Sequence, residues 1–396
     1  MSGSPTASRK VAIVGFAHSA ITREERVPLG LLTIQTIADA VADAGLAMSD
    51  IDGFTTASAF VSSAGRGVVD GVHTVSADWV VGQLGLEPRW LAGFQGIGQI
   101  SGSVALATEA LVSGAADYVV VHRALHNPQG SYHANQMTEA RGAAQWDAPQ
   151  GMWGPPTYMA LPYMRYQQKY GATRKDMADI VVAARKAGSL VPWSYWKDKP
   201  LTVDDYLSAK MIADPMSILD CDIPANGAAA FVLTRADRAR DLPHQPVYIA
   251  GYAFGTRRSS SILEDFDLEN IMDGGKRMAD RLWRSAGLRR GDVDVPQFYD
   301  GFAPLIYVWL EAMGYCGEGE AHQFAKDPGI SPGINFRTGG GAIGNGRMHG
   351  VSQMLECYLQ LSRRAGDRQL ARAEVGFACQ GFPHMGGVVA YASVPA

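Results

Sequence analysis

The chain has 396 residues, 47% of them hydrophobic and 19% charged, which is typical of a globular protein with a large core. Its net charge of −4 and its lack of basic runs argue against nucleic-acid binding, which needs clustered Lys and Arg. No apolar run has the length of a membrane span, and the four cysteines are scattered without a C-x-x-C pair. We therefore expect a cytoplasmic protein with neither a metal site nor a disulfide framework.

The first half of the chain, residues 11–240, reads as alternating strands and helices. Residues 1–10 before it are polar, lack the apolar segment of a signal peptide and are predicted to be disordered. Hydrophobic periodicity and glycine stops give the elements that follow. They are a strand at 11–17, a helix at 29–44, a strand from 50, a helix at 75–84, a glycine loop at 93–103, a helix at 104–112 and strands at 117–122 and 228–233.

Residues from about 125 to 215 form an insert of different composition. This insert is rich in tyrosine and proline, contains Trp146, Trp153, Trp193 and Trp196, and has one predicted helix, at 174–188. An aromatic-rich segment of this kind can wall an apolar ligand site or can pack in a dimer interface. The sequence leaves both alternatives open.

The second half, residues 245–396, repeats the pattern of the first. Val11-x-Ile-x-Gly-Phe-Ala recurs as Val247-x-Ile-x-Gly-Tyr-Ala, and Ala44-Gly-Leu-x-x-x-Asp-Ile-Asp recurs as Ala286-Gly-Leu-x-x-x-Asp-Val-Asp. The matches come in the same order at similar offsets. We infer two βαβαβ halves whose glycine loops meet at a pseudo-two-fold axis, with catalytic groups from both halves at the helix N-termini.

The stretch 334–353 carries the strongest candidate site. Five glycines lie between residues 339 and 346, and a helical pattern follows Gly350. A glycine loop opening onto a helix directs N–H groups and the helix dipole at one point, which suits an oxyanion. A G-x-G-x-x-G spacing is present, but it lies too near the C-terminus for a dinucleotide fold. The candidate substrate-binding residues are Asn345 and the backbone of Gly340, Gly341, Gly344 and Gly346.

The duplicated pattern, together with Asn226-Gly-Ala-Ala-Ala and Gly339-Gly-Gly-Ala-Ile-Gly, resembles the thiolase superfamily. The resemblance implies an α/β fold of five layers, α-β-α-β-α, and a tight homodimer. It also implies a cysteine nucleophile near 97–101, but no cysteine lies between Gly93 and Ser103. Ser101 is a possible substitute without an assignable base, and Cys379 is either a relic of the thiolase Cys-x-Gly motif or a packed thiol.

A closer resemblance is to the lipid-transfer branch of this superfamily, related to the thiolase part of sterol carrier protein x, which includes bacterial steroid side-chain aldolases. It rests on Asp220-Cys-Asp222, Phe298-Tyr-Asp-Gly-Phe302, Gly314-Tyr-Cys-Gly-Glu-Gly-Glu-Ala321, and Asn335 with the glycines up to Gly350. The resemblance implies retro-aldol cleavage of a steroid β-hydroxyacyl-CoA without a cysteine nucleophile. It also implies an OB-fold partner of the DUF35 type, in a heterotetramer.

In this branch the tyrosine matching Tyr299 transfers the proton, and a second tyrosine stands where this chain has Arg347. Arginine cannot act as a base, so Arg347 is expected to stabilise an enolate or tyrosinate, or to lower the pKa of Tyr299. His349 is a candidate relay or substrate ligand, or else a residue bonded to the backbone. Asp300 either orients Tyr299 or caps the next helix.

The loop N–H groups would hold the enolate, and Asn345 would bind the thioester. This scheme needs no cofactor beyond the coenzyme A of the substrate. Two other functions stay open from the sequence. One is an acyltransferase subunit of a multi-component complex, and the other is a non-catalytic carrier of lipid-CoA.

Overall fold

The computed structural model describes residues 9–57, 69–126, 144–152, 154–258, 262–325 and 338–395. Most of the predicted disordered terminus, part of the insert including Trp153, and Asn335 lie outside the described residues. The strands are β1 (Val11–His18), β2 (Gly53–Thr56), β3 (Trp90–Gly93), β4 (Tyr118–Leu125), β5 (Met211–Ala213), β6 (Met216–Ser217), β7 (Gly227–Arg235), β8 (Val247–Phe254), β9 (Val295–Gln297), β10 (Val375–Gln380) and β11 (Gly387–Ala392).

The helices are α1 (Leu29–Asp43), α2 (Ala77–Leu84), α3 (Gln99–Ser113), α4 (Ala144–Asp147), α5 (Pro155–Tyr170), α6 (Arg174–Gly188), α7 (Val203–Leu207), α8 (Ala236–Ala239), α9 (Ile262–Asp265), α10 (Leu268–Ala286), α11 (Leu305–Ala312), α12 (Ala321–Phe324), α13 (Gly341–Asn345) and α14 (Val351–Leu361). In the described part of the chain, no helix has the length and apolar character needed to cross a membrane.

Nine strands form one sheet with the order β3-β2-β4-β7-β1-β8-β11-β10-β9. The two strands that open the halves, β1 and β8, pair antiparallel at its centre, with Ile13 opposite Val247. Outward from this pair, each half repeats the same series of two antiparallel neighbours and one parallel neighbour. Only β3, which extends the first half, has no counterpart in this sheet. The sheet therefore shows the duplication that the two sequence repeats predict.

Alternation of side chains along the strands divides the core into layers. In β1, Val11 and Ile13 face a core shared with α3 and α14, whereas Ala12 and Val14 face α1. The strands of the second half show the same alternation between the α3–α14 core and the core that contains α10 and α11. Helix α1 thus covers the outer face of the first half of the sheet, and α10 and α11 cover the outer face of the second half. Helices α3 and α14 lie between the inner faces of the two halves. This is the predicted α-β-α-β-α arrangement.

The helix predicted to begin at Val104 begins earlier, because α3 starts at Gln99. The segment Gln99-Ile-Ser-Gly-Ser contains poor helix formers, which is why its composition indicated a loop. Every residue from Gln99 to Ala105 is buried, and this packing outweighs the weak helix propensity. Ser101 therefore lies inside a buried helix.

The predicted helix of the insert, α6, packs directly on the last glycine loop. A Cβ built on Gly188 would lie 2.0 Å from the carbonyl oxygen of Gly344, and one built on Gly344 would lie 2.3 Å from that of Ala184. Arg185 donates from Nε to the carbonyl of Ile343 at 3.0 Å and lies 3.3 Å from the ring centroid of Trp196. Part of the glycine content of this loop thus serves the close approach of α6 to α13.

We predict that Gly188→Ala lowers the free energy of unfolding by about 1–3 kcal/mol, because the added methyl would clash with backbone that cannot rotate away. The matched control is Gly82→Ala in α2, where a Cβ meets nothing within 4 Å. That variant should be as stable as the wild type or gain up to about 1 kcal/mol from higher helix propensity. Denaturant unfolding of both proteins measures the difference, and equal stability of Gly188→Ala and the wild type would contradict this packing.

Candidate active site

Two of the motifs singled out in the sequence pair with each other in space. The segment after β9, residues 298–302, lies against residues 220–222. The backbone N–H of Asp222 donates to the carbonyl of Gly301 at 3.0 Å, and that of Ala303 donates to the carbonyl of Asp220 at 2.8 Å. An isolated bridge joins the residues between them. This pairing sets Asp222 beside the Tyr299–Asp300 segment.

Asp300 fixes this segment to the glycine loop. Its Oδ1 accepts from the N–H of Ala342 at 2.6 Å and from Nε2 of Gln353 at 2.8 Å, and its Oδ2 accepts from the N–H of Ile343 at 3.3 Å. The expectation that Asp300 caps the next helix, α11, is therefore wrong, because it caps α13 instead. Its hydrogen bonds to other described residues do not include the Tyr299 hydroxyl.

Two opposing effects act on the pKa of Asp300. Its side chain is buried, and burial raises the pKa to about 7, while the N–H groups of α13 lower it. A Cβ on Gly341 would lie only 2.3 Å from the carboxylate, so glycine is needed there for this approach. The carboxylate occupies the N-terminus of α13, where the sequence suggested a place for a substrate oxyanion.

Two of the predicted oxyanion donors of the loop, the N–H groups of Gly344 and Gly346, are engaged within the protein. The N–H of Gly344 donates to the carbonyl of Gly340 at 2.8 Å, and that of Gly346 donates to the carbonyl of Ala342 at 2.8 Å. The structure thus gives Gly340, Gly344 and Gly346 a role in the shape and packing of the loop. The sequence could not show this, because the close packing of Gly340 and Gly344 is against α6, which is distant in the chain.

Asn345 also holds the loop together. Its Nδ2 donates to the carbonyls of Gly339 at 2.5 Å and Gly341 at 2.7 Å. Its Oδ1 is buried and has no hydrogen-bond partner among the described residues. In this structure the amide N–H groups are therefore not directed at a ligand.

A buried cationic cluster brings the two halves together. His349 lies between two arginines, with Arg123 of β4 at 2.7 Å from its Nδ1 and Nε of Arg347 at 2.5 Å from its Nε2. Arg123 also donates to the carbonyl of Ala57 and to Oε1 of Gln99, the latter at 3.4 Å. All three members of the cluster are buried, and His349 adopts a φ of +47°. The ring of His349 is thus bonded to side chains.

The two arginines place positive charge on both sides of His349. Burial, followed by the charges of Arg347 and Arg123, lowers the pKa of His349 well below its usual value, so the imidazole is neutral. A neutral imidazole accepts a hydrogen bond at only one nitrogen, because the other nitrogen carries a proton. One of the two arginine contacts of His349 therefore places an N–H donor against another N–H donor. Burial and the charge of Arg123 also lower the pKa of Arg347. An anionic oxygen placed here would relieve both costs.

Tyr299 interacts electrostatically with Arg123 of this cluster and with two carboxyl groups. It is 7% exposed, and burial, Asp222 and Asp300 together raise its pKa well above the usual value, while Arg123 lowers it. Its hydroxyl forms no hydrogen bond with a described residue. A Cβ on Gly301 would lie 2.4 Å from this hydroxyl, so the ring needs glycine beneath it. The arginine that favours the phenolate is therefore Arg123, whereas the sequence had suggested Arg347 for this role.

Neither the place of Arg123 at this site nor a role for Asp222 was predicted from the sequence. Asp222 is buried, its Oδ1 has no hydrogen-bond partner among the described residues, and burial and Asp300 raise its pKa well above the usual value. The sequence does contain one indication of Arg123, which is its position within an apolar strand. A charged residue is rarely buried in such a strand unless it is paired.

The structure places no activated thiol at this site. In the segment 97–101, the residue that starts α3 is Gln99, with a φ of +39°. Cys379 is 1% exposed and packs in the outer core beside Phe377, and burial raises its pKa well above the usual value. Cys379 is thus a packed thiol, which is the second of the two alternatives drawn from the sequence.

Asp300 lines a small cavity of about 20 Å³. It is lined by α6 of the insert, the start of α11 and the glycine loop, with mostly aliphatic side chains. A space of this size holds about one water molecule, so it does not accommodate an acyl chain. Whether the insert walls a substrate pocket stays a prediction.

A five-layered fold, with a buried tyrosine, two carboxyl groups and two arginines at the meeting of its halves, defines a thiolase-like enzyme that lacks the thiolase nucleophile. Residues 257–394 match the family model described as thiolase C-terminal domain-like. The 17-hydroxy-3-oxo-4-pregnene-20-carboxyl-CoA lyase of Mycobacterium tuberculosis is 31% identical over 366 residues, which cover 89% of this chain and 92% of that protein. The steroid side-chain-cleaving aldolase of Thermomonospora curvata is 31% identical over 357 residues, 87% of this chain and 88% of that protein.

The chain belongs to this family of thiolase-like steroid side-chain aldolases. Among solved structures, a chain of the Ltp2-ChsH2(DUF35) aldolase matches with a TM-score of 0.84 and 26% identity, over 98% of both chains. An acetyl-CoA acetyltransferase from Syntrophomonas wolfei, with a TM-score of 0.66 and 16% identity, covers 98% of this chain and 99% of that chain and shares the fold. The predicted thiolase-like fold and the resemblance to the aldolase branch are both confirmed.

We predict that Asp300→Asn makes stability less dependent on pH between 3.8 and about 7. Because burial raises the pKa in the folded state, the stabilising contribution of the protonated carboxyl is present below pH 3.8 and is lost as the pH rises through about 7. The wild type should lose this contribution over that window, whereas the asparagine variant cannot ionise. Denaturant unfolding at a series of pH values gives the two curves.

The matched control for this prediction is Asp204→Asn, at an exposed position of α7. This variant should follow the wild-type curve. Parallel curves for the wild type and Asp300→Asn would contradict the raised pKa of Asp300.

Proposed function

We propose that the protein cleaves the side chain of a steroid β-hydroxyacyl-CoA, or of a similarly bulky one, by a retro-aldol reaction. The observation that carries this proposal is the position of Tyr299. It is a buried phenol whose pKa is raised by burial and by Asp222 and Asp300 and lowered by Arg123, in a thiolase-like site that has no activated cysteine. The names of the two relatives, a carboxyl-CoA lyase and a side-chain-cleaving aldolase, support the same reaction class.

Tyr299 acts as the base in this proposal. Its phenolate takes the proton of the β-hydroxyl group, a carbonyl forms at the β-carbon, and the bond between the α- and β-carbons breaks. The electron pair passes to the thioester, which becomes an enolate. Proton return from Tyr299 to the α-carbon then gives the shortened acyl-CoA and regenerates the phenolate. This sequence balances without a further reactant, so coenzyme A enters only as part of the substrate.

The donors for the enolate are the cationic residues rather than the glycine loop. The N–H groups of Gly344 and Gly346 are already bonded within the loop. Arg123 and Arg347, in contrast, lie at opposite sides of a neutral His349 in a buried cluster that favours an anion. In a site closed to water such charges act strongly on a developing oxyanion. This assigns to Arg347 the stabilising role expected from its replacement of a tyrosine.

The working form that we propose is a homodimer bound to an OB-fold protein of the DUF35 type, as a heterotetramer in the cytoplasm. The homodimer is expected from the thiolase-like fold. A DUF35 component is part of the name of the similar Ltp2-ChsH2(DUF35) aldolase. All four cysteines are free thiols, which is compatible with a reducing compartment.

The test is turnover of a steroid carboxyl-CoA with a hydroxyl at the β-carbon, by the purified chain with and without a DUF35-type partner. Mass spectrometry should detect a steroid ketone or aldehyde and a short acyl-CoA. Intact substrate under both conditions would remove the proposal. Binding without turnover would favour the carrier alternative, and a covalent acyl adduct would favour the acyltransferase.

We predict that Tyr299→Phe lowers kcat by about 10²- to 10⁴-fold, the usual contribution of a positioned acid–base group, and leaves the fold intact. In the wild type, kcat/KM should rise about tenfold per pH unit from pH 7 towards 10, because the raised pKa leaves only a small phenolate fraction that grows with pH. A pH profile that is flat over this range would mean that Tyr299 acts as an acid instead of a base.

A second pair of variants tests Arg123. Because its charge lowers the pKa of Tyr299, Arg123→Gln should displace the rising limb of the pH profile to higher pH and lower kcat/KM at pH 8 by roughly tenfold or more. Arg123→Lys keeps the charge and should move the limb less. A purely structural role would lower the melting temperature of both variants and leave the position of the limb unchanged.

A further inference from the structure

Gln380 is a buried residue to which the proposed reaction assigns no role. It is the last residue of β10 and is 1% exposed. Its side chain lies against the start of α14, since a Cβ built on Gly350 would lie 1.4 Å from Oε1 of Gln380. The same Cβ position would lie 3.3 Å from Cγ2 of Ile100, in the first turn of α3. The amide of Gln380 is therefore held where α3 and α14 both begin.

This amide is buried without compensation. Neither Oε1 nor Nε2 has a hydrogen-bond partner among the described residues. Burying a polar group in this way destabilises a protein, and an apolar side chain of similar size would pack there at lower cost. Other buried glutamines of the site are bonded, as Gln353 is to Asp300. The burial of the unpaired Gln380 amide therefore indicates a ligand whose hydrogen bonds would offset the free-energy cost of that burial.

The surroundings indicate what that ligand is. The N-termini of α3, a helix of 15 residues, and of α14, a helix of 11, both carry partial positive charge. His349, which precedes Gly350 in the chain, contacts Arg123 and Arg347 through its two ring nitrogens. A carbonyl oxygen that gains negative charge is the group that such a setting favours. Glutamine suits this position because its amide can donate without adding a third buried cation to the site.

We propose that Gln380 binds the thioester oxygen of the acyl-CoA, donating from Nε2 to the carbonyl in the bound substrate and to the enolate oxygen once the C–C bond breaks. This role rests on the proposed function, because it assumes an acyl thioester as the ligand. Gln380 thereby places the acyl group at the junction of the two halves. Its Nε2 is a donor without a partner among the described residues.

The test compares the binding of propionyl-CoA and free coenzyme A to the wild type and to Gln380→Met, by titration calorimetry. The variant should bind propionyl-CoA about tenfold more weakly, whereas the affinity for free coenzyme A, which has no thioester oxygen, should not change. With a turnover substrate, kcat/KM should fall by tenfold or more. The melting temperature of Gln380→Met should equal or exceed that of the wild type, since an unpaired polar group has been removed.

The control is Gln360→Met in α14. Gln360 is also fully buried, but its Nε2 donates to Glu356 and to the carbonyl of Arg368, both within 2.8 Å. This variant should show the opposite behaviour, with a lower melting temperature and unchanged ligand affinities.

Gln380→Asn serves if the methionine variant does not fold, because it retains the amide but withdraws it by one methylene. An unchanged preference for propionyl-CoA over coenzyme A in the folded Gln380 variants would overturn the proposal, with a buried water as the remaining occupant. Failure of the turnover test alone would count against the proposed reaction, while the calorimetric comparison still decides the role of Gln380.

Discussion

The interaction on which the site depends is the seating of the Asp300 carboxylate on the N-terminus of α13. It receives the N–H groups of Ala342 and Ile343 and the amide of Gln353, and so joins the segment after β9 to the glycine loop and to α14. α6 packs on the outside of the same loop. Tyr299, next to Asp300, is therefore fixed by backbone that is bonded on several sides, which is the rigidity that a proton-transfer group requires.

Around this anchor, charges of opposite sign act on the Tyr299 phenol. Asp222 and Asp300 raise the pKa of the phenol, and Arg123 lowers it. All of these groups are buried, so each acts over a short distance with little screening. A substrate oxygen that becomes negative near Arg123 would be stabilised, while the carboxyl groups hold the proton on Tyr299 until the substrate arrives. The arrangement can thus do by acid–base chemistry what a thiolase does with a thiolate.

Much of the fold could be predicted because it depends on local hydrophobic patterns and on repeated sequence motifs. The bounds of α6 follow from hydrophobic periodicity, and the similarity of the two halves follows from the duplicated motifs. The site was less predictable, because its contacts join residues far apart in the chain. Arg123 and His349, for instance, are separated by 226 positions. The surroundings of the glycine loop were not predictable for the same reason, since a single sequence does not show that α6 and Asp300 pack on it.

The alternation of β10 explains why a cysteine that resembles a thiolase residue has no catalytic place here. Successive side chains of a strand face opposite sides, so Cys379 enters the outer core with Phe377, and Gln380 shares the inner face with Ala378. Only the inner face meets the starts of α3 and α14. At those starts the described chain offers the amides of Gln99 and Gln380 and the cations beside His349, all of which can donate and none of which is an activated nucleophile. The same helix termini therefore suit the non-covalent stabilisation of an oxyanion, as a retro-aldol reaction requires.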